Sequence, residues 1–262
     1  TQSALHRNNP SPPTRDNRGR GAGTGDGIAQ RSNPSAIFLA GRTLAQGRIM
    51  LKTIWSAACD LIFPPCCPSC KARVSAHGEW CDVCLSAIWQ VREVGIPAGS
   101  ALDRCYALCR YTGGLKKIIR AIKFHGGHRY AAHSLYLLER MPQDWLEKID
   151  LTVPVPLADA RLKTRGYNQT ELLFRQWTER NNLNWCEALR RTRETTPQWE
   201  LTLTERRKNI KGAFTATHPV AGHILLVDDI YTTGTTLSEC ARVLKKAGAS
   251  RVTGLVLASE AE

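Results

Sequence analysis

Residues 223–249, HILLVDDIYTTGTTLSECARVLKKAGA, constrain the fold more than any other part of this 262-residue chain. An unbroken apolar run leads into two acids at 223–229, the pattern of a strand covered on both faces. Over 236–247 the period changes. Leu237, Cys240, Ala241 and Leu244 fall on one helical stripe, and Gly248 sits where a helix C′ residue belongs. A buried strand joined by a short loop to an amphipathic helix is the unit of a mainly parallel sheet flanked by helices. The same alternation predicts strands at 104–111, 149–156 and 251–258, and helices at 115–124, 129–140 and 169–180. The prolines of IDLTVPVP suit a strand end or a sheet edge. Gly113-Gly114 reads as a turn, followed by a helix with Leu115, Ile118, Ile119 and Ile122 on one face and basic residues on the other. There are no internal repeats.

The junction between strand and helix is where chemistry is expected. Ligands in open α/β sheets bind beyond the carboxyl ends of strands. The helix N-terminus and loop amides can hold a phosphate, with threonine hydroxyls as further donors. Gly234 permits a close backbone approach. Asp228 and Asp229, at the strand's end, are badly placed to bind phosphate but suit a pair of sugar hydroxyls. A ribose 5-phosphate therefore fits this junction. The alternative is that the acids cap the loop and Thr235 or Thr236 caps the helix, although capping needs only one such residue.

Six of the ten cysteines fall between Cys59 and Cys84. Cys67 and Cys70 form one Cys-x-x-Cys pair, Cys81 and Cys84 another, ten residues apart. Two such pairs can set four thiolates around zinc, whose binding would supply much of the folding energy of so small a module. Buried free thiols are the alternative. Cys66 could stand in for Cys67, whereas His77 is a weaker ligand candidate. The clustering points to a reducing compartment, the cytoplasm, rather than a disulfide network. Cys59, Cys105, Cys109, Cys186 and Cys240 are expected to lie outside the metal site. Cys105 and Cys109, four apart in a strand, are expected on one face as small core residues.

No run of eighteen apolar residues occurs, which excludes a spanning helix. Residues 1–50 hold seven arginines and two aspartates, a net +5 of the chain's +13, so +8 belongs to the remainder. The glycine-rich 14–27 lacks apolar periodicity, follows no strand and opens no helix, so it is no dinucleotide loop. The first methionine is Met50. Residues 1–49 are therefore expected to be a disordered or spurious extension, with a real basic tail that binds nucleic acid as the alternative. The expected organisation continues with a helix and zinc module over 50–90, the helix at 51–63, and an α/β domain over 91–262.

Residues 224–236 resemble the phosphoribosyl pyrophosphate motif of type I phosphoribosyltransferases. More closely, LIFPPCCPSC (61–70), CDVC (81–84), YTGGLKKIIRAIKFHG (111–126), VPVPLADARLKTRGYNQTELL (153–173) and TPQWELTLTERRKNIKGAF (196–214) resemble, in order, the competence protein ComF family, also called GntX or amidophosphoribosyltransferase-like. The resemblance runs from about Leu51 to Ala258. It implies a type I phosphoribosyltransferase-like fold, a mainly parallel α/β sheet flanked by helices, preceded by a small four-cysteine zinc module. Asp228 and Asp229 would hold the ribose 2′- and 3′-hydroxyls. Thr232, Thr233, Gly234, Thr235 and Thr236 would wrap the 5-phosphate. Val155, Pro156 and Leu157 would form the pyrophosphate loop, where a cis bond before Pro156 would be inexpensive. Arg165 to Gln169 are a family signature near that loop. Residues 192–211 would be a mobile flap carrying Arg193, Arg206, Arg207 and Lys211, or a solvated basic face.

The chemistry so implied is glycosyl transfer. Mg2+ would bridge pyrophosphate and ribose oxygens, Arg165 and Arg193 would stabilise the departing pyrophosphate, and flap closure would exclude water. The acceptor pocket would lie in the hood around 111–130. The family further implies a part in natural transformation or in using external DNA as a nutrient. Phosphoribosyl transfer, regulatory binding of phosphoribosyl pyrophosphate or a nucleotide without turnover, and single-stranded DNA binding all fit that role. A homodimer is also expected. Two departures stand out. Residues 91–102 lack a further cysteine pair, which limits the chain to one four-thiolate site, and Tyr231 replaces a smaller residue, where it would either shade the site or face outward.

Overall fold

The computed structural model describes residues 60–146, 148–193, 205 and 209–260. The extension expected at 1–49, most of the helix expected at 51–63, Cys59, and Arg206, Arg207 and Lys208 lie outside them. In chain order the elements are α1 (Asp82–Ile88), β1 (Trp89–Glu93), β2 (Arg104–Arg110), α2 (Gly113–Phe124), α3 (Ala131–Leu138), β3 (Leu151–Pro154), α4 (Asp159–Arg165), α5 (Gln169–Arg180), β4 (Leu189–Arg191), β5 (Phe214–Ala216), β6 (His223–Tyr231), α6 (Thr235–Lys246) and β7 (Arg251–Ser259).

β1, β2, β7, β6 and β3 form one sheet in that order. β2, β7, β6 and β3 run parallel, and β1 pairs antiparallel with β2 across an irregularity between Trp89 and Arg92. The central strands β6 and β7 are buried almost throughout, which is why they read as continuous apolar runs. β3 lies at the edge, as its prolines require. Its outer side is partly covered where the Thr152 amide donates to Asn184 O (2.7 Å) and the Cys186 amide to Thr152 O (2.9 Å).

Side chains alternate across the sheet. Ile224 and Leu226 join a core with Leu237, Cys240, Ala241 and Leu244 of α6, while Leu225 and Val227 join a second with α2 and α5. Helices therefore cover both faces. In α2, Leu115, Ile118, Ile119 and Ile122 are all buried, each contributing about 1.5–3 kcal/mol relative to exposure. Basic residues occupy its outer face.

Four expectations need correction. Gly113-Gly114 is no separate turn. Gly113 does carry a left-handed φ of +51°, but both glycines already belong to α2. The strand expected to end at Asp228-Asp229 runs on to Tyr231, because pairing with β7 continues through Tyr231 and Ser259. The helix expected at 129–140 is confined to Ala131–Leu138, preceded by a 3-10 turn over His128–Tyr130. Cys105 and Cys109 are both buried, yet they join different core clusters, Cys105 with α6 and Cys109 with α2.

Candidate functional site

The strand β6 delivers Asp228 and Asp229 into the carboxyl end of the sheet, where they are 9% and 3% exposed. The Asp228 carboxylate is held at Oδ1, which accepts from the Asp229 amide (2.8 Å) and the Thr170 hydroxyl (3.3 Å). Burial, reinforced by the neighbouring Asp229 charge, raises its pKa to about 7. Asp229 Oδ2 lies 2.9 Å from Lys123 Nζ, an ion pair whose alignment is not that of a hydrogen bond. Burial opposes the charge on Lys123, but Asp229 and then Asp228 outweigh it and hold the ammonium above its ordinary pKa.

After Tyr231 the chain turns through Thr232, Thr233 and Gly234 into α6. Gly234 is itself the N-cap, left-handed at φ 69°, and no side chain caps the helix. The alternative in which Thr235 or Thr236 caps the helix is therefore not what the structure shows. A helix start without a side-chain cap is suited to receive an anion. Thr233 Oγ1 lies 3.1 Å from Thr235 Oγ1, at that helix start. A Cβ on Gly234 would lie 2.2 Å from the Tyr231 hydroxyl oxygen, so this position requires glycine for space as well as for φ. Tyr231 neither shades the site nor faces outward. It is buried beneath the loop, and its hydroxyl donates to Gly95 O (2.8 Å).

Val155, Pro156 and Leu157 follow β3, with the Val155 amide donating to Val227 O (3.0 Å). No peptide among the described residues is cis, so the bond before Pro156 is trans. Asn168 Nδ2 donates to Val155 O (3.2 Å), while its Oδ1 accepts from the Thr170 amide (3.1 Å) and caps α5. Tyr167 donates to Ile122 O of α2. The RGYNQ segment thus braces one loop, two helices and, through the adjacent Thr170, one acid. Arg165 Nη1 donates to Gln169 Oε1, and its guanidinium lies 5.7 Å from the Phe124 ring centre. Burial lowers its pKa, partly offset by Asp229.

β4 and β5, on either side of residues 192–213 in the chain, pair as a two-stranded antiparallel ribbon. Arg193 Nη2 donates to Asn209 O (2.7 Å) and Lys211 O (3.1 Å). On the β5 side the Gly212 amide donates to Glu239 Oε1 of α6 (2.7 Å). The structure therefore brings Asp228, Asp229 and the threonine loop together, and places Arg193 just after β4, tied to Asn209 and Lys211.

Cys67, Cys70, Cys81 and Cys84 have sulfurs all within 4.8 Å of one another. A tetrahedral zinc with bonds of about 2.3 Å needs sulfur separations of about 3.8 Å, so this donor set fits a zinc module. The Cys67 turn is a backbone knuckle, with the Lys71 amide donating to Cys67 O (3.0 Å). Burial opposes the Cys67 thiolate, but backbone N–H groups of Cys70, Cys81 and Ser69 hold its pKa down to about 6. Backbone N–H donation from Cys84 favours the Cys81 thiolate, yet burial and the neighbouring sulfurs push its pKa up to about 12. Four thiols so close cannot all ionise without a cation. Cys66 is not in the cluster but bridges to Arg73, and His77 pairs instead with Asp60 (2.8 Å). Cys240 is buried with the core cysteines, whereas half-buried Cys186 lies 3.5 Å from His218 Nε2.

Sequence reasoning missed Lys123 and Thr170. Lys123 follows Ile119 by one helical turn, so it borders the apolar face, a signal available in the sequence. Thr170 lies two residues after the α5 N-cap, a position that reads as ordinary capping.

A phosphoribosyl transferase domain model matches residues 188–262. The chain is 33% identical over 218 residues to the DNA utilization protein YhgH of Escherichia coli (strain K12), covering 73% of this chain and 96% of that protein. It is 30% identical over 201 residues to Competence protein F of Haemophilus influenzae (72% and 82%), and 27% over 197 residues to Competence protein ComFC of Streptococcus pneumoniae (71% and 77%). With that identity sustained over nearly the whole of a relative, the chain belongs to the competence protein ComF family.

Proposed function

We propose that this protein binds phosphoribosyl pyrophosphate with Mg2+ and transfers the phosphoribosyl group to an acceptor during uptake or use of DNA. The observation that carries the reading is the junction of β6 and α6. Two buried carboxylates stand beside a left-handed glycine and a helix start that no side chain caps. Asp228 and Asp229 accept hydrogen bonds from the ribose hydroxyls. The 232–236 segment cradles the 5-phosphate, and the Val155–Leu157 segment faces the pyrophosphate. Arg165 stabilises the charge that develops on the leaving pyrophosphate. Arg193 acts at one remove, by tying the end of β4 to Asn209 and Lys211. Mg2+, when bound with the substrate, would supply neutralisation of the pyrophosphate charge.

Cys67, Cys70, Cys81 and Cys84 hold a structural zinc in this reading, and thiols that must stay reduced suit the cytoplasm. No helix among the described residues is long and apolar enough to cross a membrane. The names of the relatives, with the exposed Lys116, Lys117 and Arg120 of α2, favour a nucleic acid as acceptor or partner.

Calorimetric titration with phosphoribosyl pyrophosphate tests the reading. Saturable binding that requires Mg2+ is expected, weakened at least about tenfold in Asp229→Asn. Absence of binding, or indifference to that substitution, would overturn it. A pyrophosphate-release screen against bases, amines and nucleic acid fragments then identifies the acceptor.

A further inference from the structure

One charge in the site comes from outside both acidic and threonine motifs. Lys123 lies near the C-terminal end of α2, a helix fixed by four buried aliphatic residues, and its side chain is only 23% exposed. The next residue, Phe124, has the Arg165 guanidinium 5.7 Å from its ring centre, and the Tyr111 phenol senses both Lys123 and Asp229. The ammonium sits 2.9 Å from Asp229 Oδ2.

We propose that Lys123 is a positioning residue of the ribose site, fixing the Asp229 carboxylate in the orientation that accepts a ribose hydroxyl. The proposal rests on the reading above and deepens it.

Two adjacent buried carboxylates repel each other, and water cannot screen them well. Each is held by one oxygen. Thr170 and the Asp229 amide engage Asp228 Oδ1, and Lys123 engages Asp229 Oδ2. The second oxygen of each carries no hydrogen bond among the described residues, so the two acids offer two acceptors to a vicinal diol. Without Lys123, the Asp229 carboxylate loses the contact that fixes its rotation and the charge that makes its burial tolerable. The ion pair thus ends on the one carboxylate of the two that no side-chain hydroxyl holds among the described residues.

The test separates the sugar from the phosphate by titrating two probes, ribose 5-phosphate and inorganic phosphate, into the zinc-loaded full chain. Lys123→Met should weaken ribose 5-phosphate about tenfold while leaving inorganic phosphate within about twofold, and Lys123→Arg should restore most of the loss. Equal weakening of both probes, or no weakening, overturns the proposal while leaving phosphoribosyl binding intact. Failure of the unmodified chain to bind ribose 5-phosphate or phosphoribosyl pyrophosphate instead sinks the underlying reading, and this proposal with it. If Lys123→Met does not fold, the neutral pair Lys123→Met with Asp229→Asn decides. It should bind ribose 5-phosphate no more weakly than Asp229→Asn alone, and a further loss counts against the proposal.

Discussion

At the scale of residues, Gly234 and Asp228 give the sharpest expectations. Gly234→Ala forces a methyl to within 2.2 Å of the Tyr231 hydroxyl oxygen and a left-handed backbone on a residue that resists it. A loss of about 1–3 kcal/mol is expected, read as a lower thermal midpoint together with weakened phosphate binding. Asp228 is raised from 3.8 to about 7 in the folded chain. Between those values the unfolded chain has released this proton while the folded chain retains it. The contribution of Asp228 to stability therefore falls as pH rises from about 4 to about 7, and is flat above. Asp228→Asn should remove that slope, so denaturation midpoints at pH 5 and pH 8 should lie closer together in the variant. The acids were legible because carboxylates are rare in a buried strand, and the glycine because a tight loop selects it. Tyr231 was not, because nothing in a single sequence shows that an aromatic after Asp-Asp-Ile turns inward to reach Gly95.

Among elements, the long periodic ones were readable and the short ones were not. α5 falls where the sequence put it, and α6 starts one residue early because Gly234 rather than a threonine is the cap. β4 and β5 have three residues each, too few to show any period, so their ribbon could not be foreseen. α2 shows the same limit from the other side. Its apolar face was plain, but what its two ends touch was not. At the N-terminal end, a Cβ on Gly114 would lie 2.2 Å from the hydroxyl oxygen of Ser69, which sits between Cys67 and Cys70. At the other end is Lys123. With zinc on the four cysteines as proposed, a chelator should loosen the Cys67–Cys70 knuckle and, through Ser69, the first turns of α2. Amide hydrogen exchange should then quicken at residues 115–119 of α2 while β6 and β7 stay protected.

For the molecule as a whole, the division expected at residue 90 falls inside β1, and β1 pairs with β2 at the edge of the main sheet. Trp80 and Ile88 of the cysteine-bearing segment pack into the same core as α2 and α5. A fragment covering 91–262 should therefore unfold at a markedly lower denaturant midpoint than the full chain, with an apolar face exposed to dye binding. A midpoint equal to that of the full chain would show the cysteine segment to be dispensable. The sequence pattern separates the two parts because their compositions differ, but composition does not report which surfaces share a core. The Gly114–Ser69 contact has a consequence for how such a chain can diverge. A descendant that lost its cysteines would still have serine pressed against a helix start with no room for a methyl group. Its module and helix would have to change together, so the cysteine-bearing segment would not exchange among relatives like an interchangeable cassette.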